Sequence, residues 1–390
     1  MRIASLLSKI QPSATLALNA KTQELRAQGV DIVSLAVGEP DFETPEHVRT
    51  AAKEAMDQGF TRYTPVAGTP EVRQAIAGYY KQFYGVDAPK EATMATCGGK
   101  HALYNIFLSV LEPGDEVLIP SPYWVSYPDM AALAGAVSVF VPTEAKDNYL
   151  ATVENLEKAR TSKTRVLVLN SPSNPTGGVY NTEQLDAIAE WAKANDVFII
   201  SDEVYDQLVY EPFKPASMSP FWQRHPECVA IVGALSKSFA MTGWRMGFIL
   251  AHPDLIKAMT KIQSQSTSNI CSVVQKAAVA ALTGPWDEVA RMRKAFARRR
   301  DLAMDIIATW KGVTCPKPDG AFYLFPDVSA CFTADTPNSS AMSEKILEQA
   351  KVAVVPGVAF GEDRCVRLSY ALDDATLEQA LLKMGDVLAG

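Results

Sequence analysis

The chain has 390 residues, 48% of them apolar and 21% charged, with a formal net charge of -7 at pH 7. That composition belongs to a folded protein with room for two or three domains. The acidic balance excludes a surface built to attract nucleic acid but leaves open a local positive pocket for a small anion.

In chain order, the N-terminus MRIASLLSKI is too short and too interrupted by polar residues for a signal segment, and no apolar run reaches membrane-spanning length. Neither export nor a membrane span is expected. Next, TCGGKHALYNIFLSVL sets two glycines ahead of an amphipathic helix with Leu103, Phe107, Val110 and Leu111 on its inner face. Short apolar, β-branched runs follow: EVLIP (116–120), VSVFVP (137–142), RVLVLN (165–170), VFIISDE (197–203), CVAIVGAL (228–235) and MGFILA (246–251). Helical stretches alternate with most of them, such as TEQLDAIAEWAKAND with Leu185, Ile188, Ala189 and Ala192 on one face. This alternation predicts an α/β fold whose sheet is mainly parallel and covered on both faces.

Past residue 285 a long helical stretch, WDEVARMRKAFARRRDLAMDIIATW, leads into GAFYLFPDV, VAVVPG, CVRLSYA and a last helix, ATLEQALLKMGDVL. That pattern fits a smaller α+β domain. The expected division is an N-terminal arm shared with the small domain (1–45), a large domain (46–285) and the small domain proper (286–390). The cluster RKAFARRR has Asp287, Glu288 and Asp301 as neighbours, so it reads as a solvated helix face rather than a nucleic-acid patch. The six cysteines (Cys97, Cys228, Cys271, Cys315, Cys331, Cys365) are scattered, with no C-x-x-C pair. No disulfide framework or metal site is expected, and a reducing, cytoplasmic compartment fits.

In parallel sheets, ligands bind beyond the carboxyl ends of the strands. Here those ends read Ser-Pro-Tyr-Trp (121–124), Asn-Ser-Pro-Ser-Asn-Pro (170–175), Ser-Asp-Glu-Val-Tyr (201–205) and Ser-Lys-Ser (236–238). A desolvated lysine near other positive charge has a depressed pKa and becomes an amine able to form a Schiff base. Lys237 is the candidate, with Arg245 eight residues on. Pyridoxal phosphate is the aldehyde such an amine would take: its ring nitrogen needs an acidic partner, which Asp202 would supply, and its phosphate needs donors. Gly98 and Gly99, opening a helix, are a candidate phosphate cradle. The same pair would equally serve an ordinary loop-to-helix turn.

Together SPYWVSYPDM, NSPSNPTGGVY, SDEVYDQLVY and SKSFAMTGWRMG, in this order and at these separations, resemble the class I, fold-type-I aminotransferases that depend on pyridoxal phosphate. The likeness is to the bacterial aspartate and aspartate/prephenate subgroup in particular. It runs from PSATLALNAK (12–21) through VGEPDFETPEH to VRLSYA (366–371). It implies a large domain with a mainly parallel seven-stranded sheet flanked by helices, a smaller α+β domain, and a homodimer. The implied activity is transfer of the amino group of L-aspartate to 2-oxoglutarate by a ping-pong route.

Residue by residue, the resemblance gives Lys237 the covalent bond to the cofactor and the proton transfer at the substrate Cα. Asp202 would pair with the pyridine nitrogen, Tyr205 and Asn174 would reach the phenolic oxygen, and Trp124 would stack on the ring. Ser236 and Arg245 would hold the phosphate beside Gly98, Gly99 and Lys100, and Tyr63 would reach the phosphate of the neighbouring subunit. For the substrate, the alternation of CVRLSYA sets Arg367 and Ser369 on the face opposite Val366, Leu368 and Tyr370. The resemblance assigns Arg367, helped by the Gly38 amide, to the α-carboxylate, within reach of Trp124 and Asn174. Lys100, with Ser13 and Thr15 nearby, would read the distal carboxylate. Two positions depart from the pattern: Ala234 stands where many relatives carry a phosphate-binding serine, and Gln11 where prephenate-using members commonly carry lysine. The alternatives are a prephenate or aromatic aminotransferase on the same scaffold, and a cofactor-binding regulatory module, which should carry a basic DNA-binding domain ahead of PSAT.

Overall fold

The computed structural model describes residues 1, 3–10 and 14–389. Seven strands form its main sheet: β1 (Thr93–Cys97), β2 (Glu116–Ser121), β3 (Val137–Pro142), β4 (Thr164–Asn170), β5 (Phe198–Asp202), β6 (Val229–Ala234) and β7 (Met246–Leu250). Their spatial order is β1-β7-β6-β5-β4-β2-β3. β7 runs antiparallel to both neighbours, and every other pairing is parallel.

Side chains alternate across a strand, so a sheet covered on both faces needs apolar residues at every position. β4 and β6 show it. Leu167, Leu169, Val229 and Ile231 enter a core on one face, with Ile188 and Ala189 of the helix Thr182–Ala194. Val166, Val168, Ala230 and Val232 enter a second core on the other face, with Leu103 and Phe107 of the helix Gly99–Val110.

This topology gathers the polar strand ends on one edge. The carboxyl ends of β4, β5 and β6 carry Asn170, Asp202 and the turn to Lys237, with Asn170 paired directly to Asp202. β1 ends at Cys97 and hands over to Gly98 and Gly99. Because β7 is antiparallel, its beginning lies where its neighbours end, with Met246 opposite Cys97. That places Arg245 beside the two glycines.

A separate core gathers Phe296, Phe322, Tyr323, Leu368, Tyr370 and Leu377. It is built on the helices Asp287–Ile307, Ser339–Ala350 and Asp374–Ala389 and a three-stranded antiparallel sheet of β8 (Tyr323–Leu324), β9 (Val355–Pro356) and β10 (Val366–Ser369), in the order β9-β10-β8. Val33 and Ser34 pair in parallel with Val352 and Ala353, and Leu35 packs into this core. Between the cores runs the segment 38–44. Thr44 donates to the carbonyl of Ala240 and accepts from the Trp244 indole, while Asp41 accepts two bonds from Arg299, both at 2.8 Å.

The structure corrects the reading of RKAFARRR as a solvated face at two of its arginines, while Lys294 and Arg298 are exposed. Arg299 and Arg300 are each 6% exposed. Arg299 pairs with Asp41 and Asp374, and Arg300 donates to Asp301 and to the carbonyl of Pro318 over the Tyr210 ring. The partners of Arg299 lie far away in sequence, and the Pro318 carbonyl that Arg300 meets carries no charge, so no local charge pattern reveals this burial. Strand β1 (TMATC) and the helix Ser339–Ala350 were also absent from the sequence reading, the former because threonine and alanine give a weak apolar signal. Among the described residues no helix is long and apolar enough to cross a membrane.

Candidate active site

Along the edge where the strands end lies a cavity of about 310 Å³. Lys237 projects into it from the four-residue helix Leu235–Ser238 that follows β6, and its Nζ donates to the carbonyl of Gly38. Burial lowers the pKa of Lys237 to about 8, with Glu39 opposing, Arg367 and Arg245 assisting, and Asp202 opposing weakly.

Asp202, at the end of β5, is 3% exposed and makes no ion pair among the described residues. Burial raises its pKa to about 6, against bonds from the Tyr127 hydroxyl at 2.6 Å and the Val204 amide. A buried carboxylate without a cation is costly unless one arrives. Tyr127 escaped the sequence reading. Its spacing, three residues after Trp124, puts both on one side of the turn entering the helix Ser126–Leu133, where the rings meet edge to face at 5.3 Å.

Asn170 clips the loop after β4 to β5: its amide donates to the Asp202 carbonyl and its side-chain oxygen accepts from the Asn174 amide. Asn174, which lines the cavity, in turn accepts from Arg367 at 3.0 Å, and its own NH₂ has no acceptor among the described residues. Arg367, on β10 and 3% exposed, also donates to the carbonyl of Ala36 at 2.7 Å, and its buried Nε has no partner among the described residues. Its guanidinium lies 4.6 Å from the centre of the Tyr323 ring. Burial lowers the pKa of this guanidinium, with Tyr323 and Tyr205 opposing.

Gly98 caps the helix Gly99–Val110 at φ 83°, with no side-chain cap. A Cβ on Gly98 would lie 2.4 Å from Arg245 Nη2, and one on Gly247 would lie 2.3 Å from the carbonyl carbon of Gly98. Backbone and guanidinium therefore close on the helix start, where uncapped amides and the helix dipole favour an anion. Ser236 and Ala234 line the same wall. Lys100 is exposed at the rim, its ammonium 4.9 Å from the Trp124 ring centre. Partial desolvation and then Arg245 lower its pKa, and Asp129 opposes.

The structure brings Gly38, Gly99, Lys100, Trp124, Asn174 and Asp202 to the cavity, and with them Tyr205, Ser236, Lys237, Arg245 and Arg367. Gly98 stands behind Arg245. Tyr63 does not line the cavity and is 91% exposed. Ser13, Gln11 and the side chain of Thr15 lie outside the described residues. Tyr323, unforeseen because it is hidden in the apolar run GAFYLF, also lines the cavity, its hydroxyl 2.8 Å from that of Tyr205. A Cβ on Gly38 would lie 2.3 Å from the Tyr323 oxygen, so that position is glycine for want of space.

The donor set fits pyridoxal phosphate. A buried carboxylate without a cation suits a protonated ring nitrogen, an amine of lowered pKa suits an aldehyde, and an uncapped helix start beside a guanidinium suits a phosphate. Comparison with known proteins agrees. A family model described as aminotransferase class I and II matches residues 30–383. An aspartate aminotransferase of Geobacillus stearothermophilus is 43% identical over 98% of this chain and 97% of its own length. An aspartate/prephenate aminotransferase of Cereibacter sphaeroides is 43% identical over 100% of this chain and 99% of its own. A solved structure of aspartate aminotransferase from Thermus thermophilus with maleate superposes with a TM-score of 0.93 at 43% identity, covering 99% of this chain and 100% of that one.

Proposed function

This chain belongs to the class I and II aminotransferases, whose cofactor is pyridoxal phosphate, and from that premise we propose that it transfers the amino group of L-aspartate to 2-oxoglutarate, giving oxaloacetate and L-glutamate. The observation that carries the substrate reading is Arg367. A buried guanidinium that, among the described residues, bonds only to neutral oxygens and leaves one nitrogen unpartnered is incomplete without an anion. A substrate α-carboxylate supplies that anion through two parallel bonds. Lys100 at the rim offers a second cation for a distal carboxylate, and the Thermus protein was solved with maleate, a four-carbon dicarboxylate.

When bound, the cofactor supplies the aldehyde that accepts the amino group and a ring that takes up the electron pair left at Cα. The chain's own residues do the rest. Lys237 Nζ takes the Cα proton and returns it, a role its pKa of about 8 suits near neutrality. Asp202, held by a bond from the Tyr127 hydroxyl, would supply the carboxylate partner of the ring nitrogen. Tyr205 and the NH₂ of Asn174 would donate to the phenolic oxygen, Trp124 would cover the ring, and Ser236, Arg245 and the amides after Gly98 would hold the phosphate. Arg367 and the Gly38 amide, which line the cavity with Lys237, would orient the substrate for proton transfer by Lys237. Donor and acceptor occupy one cavity in turn, which makes the route ping-pong.

Tyr63 we assign to the phosphate of a second copy of the chain; its near-complete exposure supports a partner there. We place the domain boundaries at 45 and 285, with the arm shared by the small domain. The packing of Leu35 and the pairing of Val33–Ser34 with Val352–Ala353 support that division. The test is the visible spectrum of the reconstituted protein as L-aspartate, L-tyrosine or L-arogenate is added. Conversion to the pyridoxamine spectrum by aspartate supports the reading; conversion by L-arogenate or tyrosine alone would replace it with the prephenate or aromatic activity.

A further inference from the structure

The hydroxyls of Tyr205 and Tyr323 lie 2.8 Å apart, and the two residues are 3% and 1% exposed. A phenol carries one proton, so within such a pair one oxygen donates and the other accepts. The assignment of Tyr205 as a donor to the cofactor's phenolic oxygen, on which this inference rests, decides the direction. Once the Tyr205 proton points at the cofactor, its lone pairs are left to accept. Tyr323 is the donor within reach, and no other donor to the Tyr205 oxygen is found among the described residues. We propose that Tyr323 is a positioning residue for the reaction: it donates its O–H to Tyr205 and so fixes the Tyr205 proton on the cofactor's phenolic oxygen.

The surroundings of Tyr323 suit this role. Ser369 pairs with Tyr323 across β10 and β8, which fixes the backbone. The ring is wedged by Phe322 at 4.8 Å and crosses Tyr205 at 80°, while Gly38 leaves the hydroxyl no room for a Cβ beside it. Burial raises the pKa of the Tyr323 phenol, and Arg367, 4.6 Å from the ring centre, opposes that rise and favours donation by its O–H. An O–H that accepts a hydrogen bond becomes a stronger donor itself, so the Tyr323 bond strengthens the one Tyr205 makes. Tyr323 thus acts on the cofactor's phenolic oxygen without touching it.

The experiment is a spectrophotometric pH titration of the reconstituted holoenzyme without substrate, which reads the pH midpoint at which the bound cofactor changes colour. Donation to the phenolic oxygen stabilises its anion and lowers that midpoint. Tyr205→Phe is expected to raise it by about 1 pH unit and Tyr323→Phe by about 0.5. The double variant is expected to match Tyr205→Phe alone, because Tyr323 acts through Tyr205. Replacing Tyr323 by 3-fluorotyrosine keeps ring, hydroxyl and packing while making the phenol a stronger donor, so the midpoint is expected to fall. A shift from Tyr205→Phe with none from Tyr323→Phe would overturn the role of Tyr323 and leave that of Tyr205 standing. No shift from either would overturn both. Additive shifts in the double variant, or a fluorotyrosine midpoint that stays or rises, would overturn the route through Tyr205.

Discussion

Raising the pH of the cofactor-free protein tests the chemistry of Lys237 directly. Its pKa, brought from an ordinary 10.5 to about 8 chiefly by burial, changes the share of free amine present at pH 7. That share is about one in eleven, against about one in three thousand for an unperturbed lysine, a gain of roughly 300-fold. Trace labelling with acetic anhydride, followed by peptide mass spectrometry, reads the amine site by site, with exposed lysines as the internal standard. Acetylation of Lys237 should climb steeply between pH 7 and 9 and level off above, while the exposed lysines continue to rise. Asp202→Asn should shift the Lys237 midpoint down, since its carboxylate favours the charged ammonium, and Arg245→Gln should shift it up. A midpoint above about 10, or shifts of the opposite sign, would refute the claim that burial and neighbouring cations prepare this amine.

Other consequences are open to shorter tests. Lys237→Ala should abolish turnover while circular dichroism stays that of the parent; retained turnover would remove Lys237 from the chemistry. Lys100→Ala should reduce kcat/KM for aspartate roughly tenfold or more yet affect an uncharged amino acid less, and equal losses would show that it does not read the distal carboxylate. Gly98→Ala, strained at positive φ and pressed against Arg245, should weaken retention of the cofactor in dialysis more than it lowers the melting temperature. Asp41→Ala should destabilise the chain by about 3 kcal/mol in denaturant titrations, because it leaves the Arg299 guanidinium without its bidentate partner at 7% side-chain exposure. A loss under about 1 kcal/mol would mean that Asp374 alone satisfies Arg299.

The alternation of short apolar runs with helices was enough to read the parallel sheet and its two cores, since a strand buried on both faces must be apolar throughout. The strand-end residues were equally visible: Asn174, Asp202 and Lys237 stand just past such runs. Tyr323 could not be found this way, because a tyrosine inside an apolar strand looks like core until its hydroxyl meets another. Arg299 and Arg300 were misread for a related reason. A run of arginines shows its charge in sequence but not Asp41, lying about 260 residues away in the chain and against the same helix.

The close approach of the glycine turn to β7 also bears on how this protein would accept change. At Gly98 and Gly247 the backbones already touch, so a library of substitutions there would return mostly inactive chains whatever the intended substrate. At the rim, Lys100 is exposed and Trp124 half-buried. An effort to retool the enzyme for a different amino acid should leave the anion end untouched and spend its variation at the rim, where a side chain can be exchanged without moving the chain that carries it.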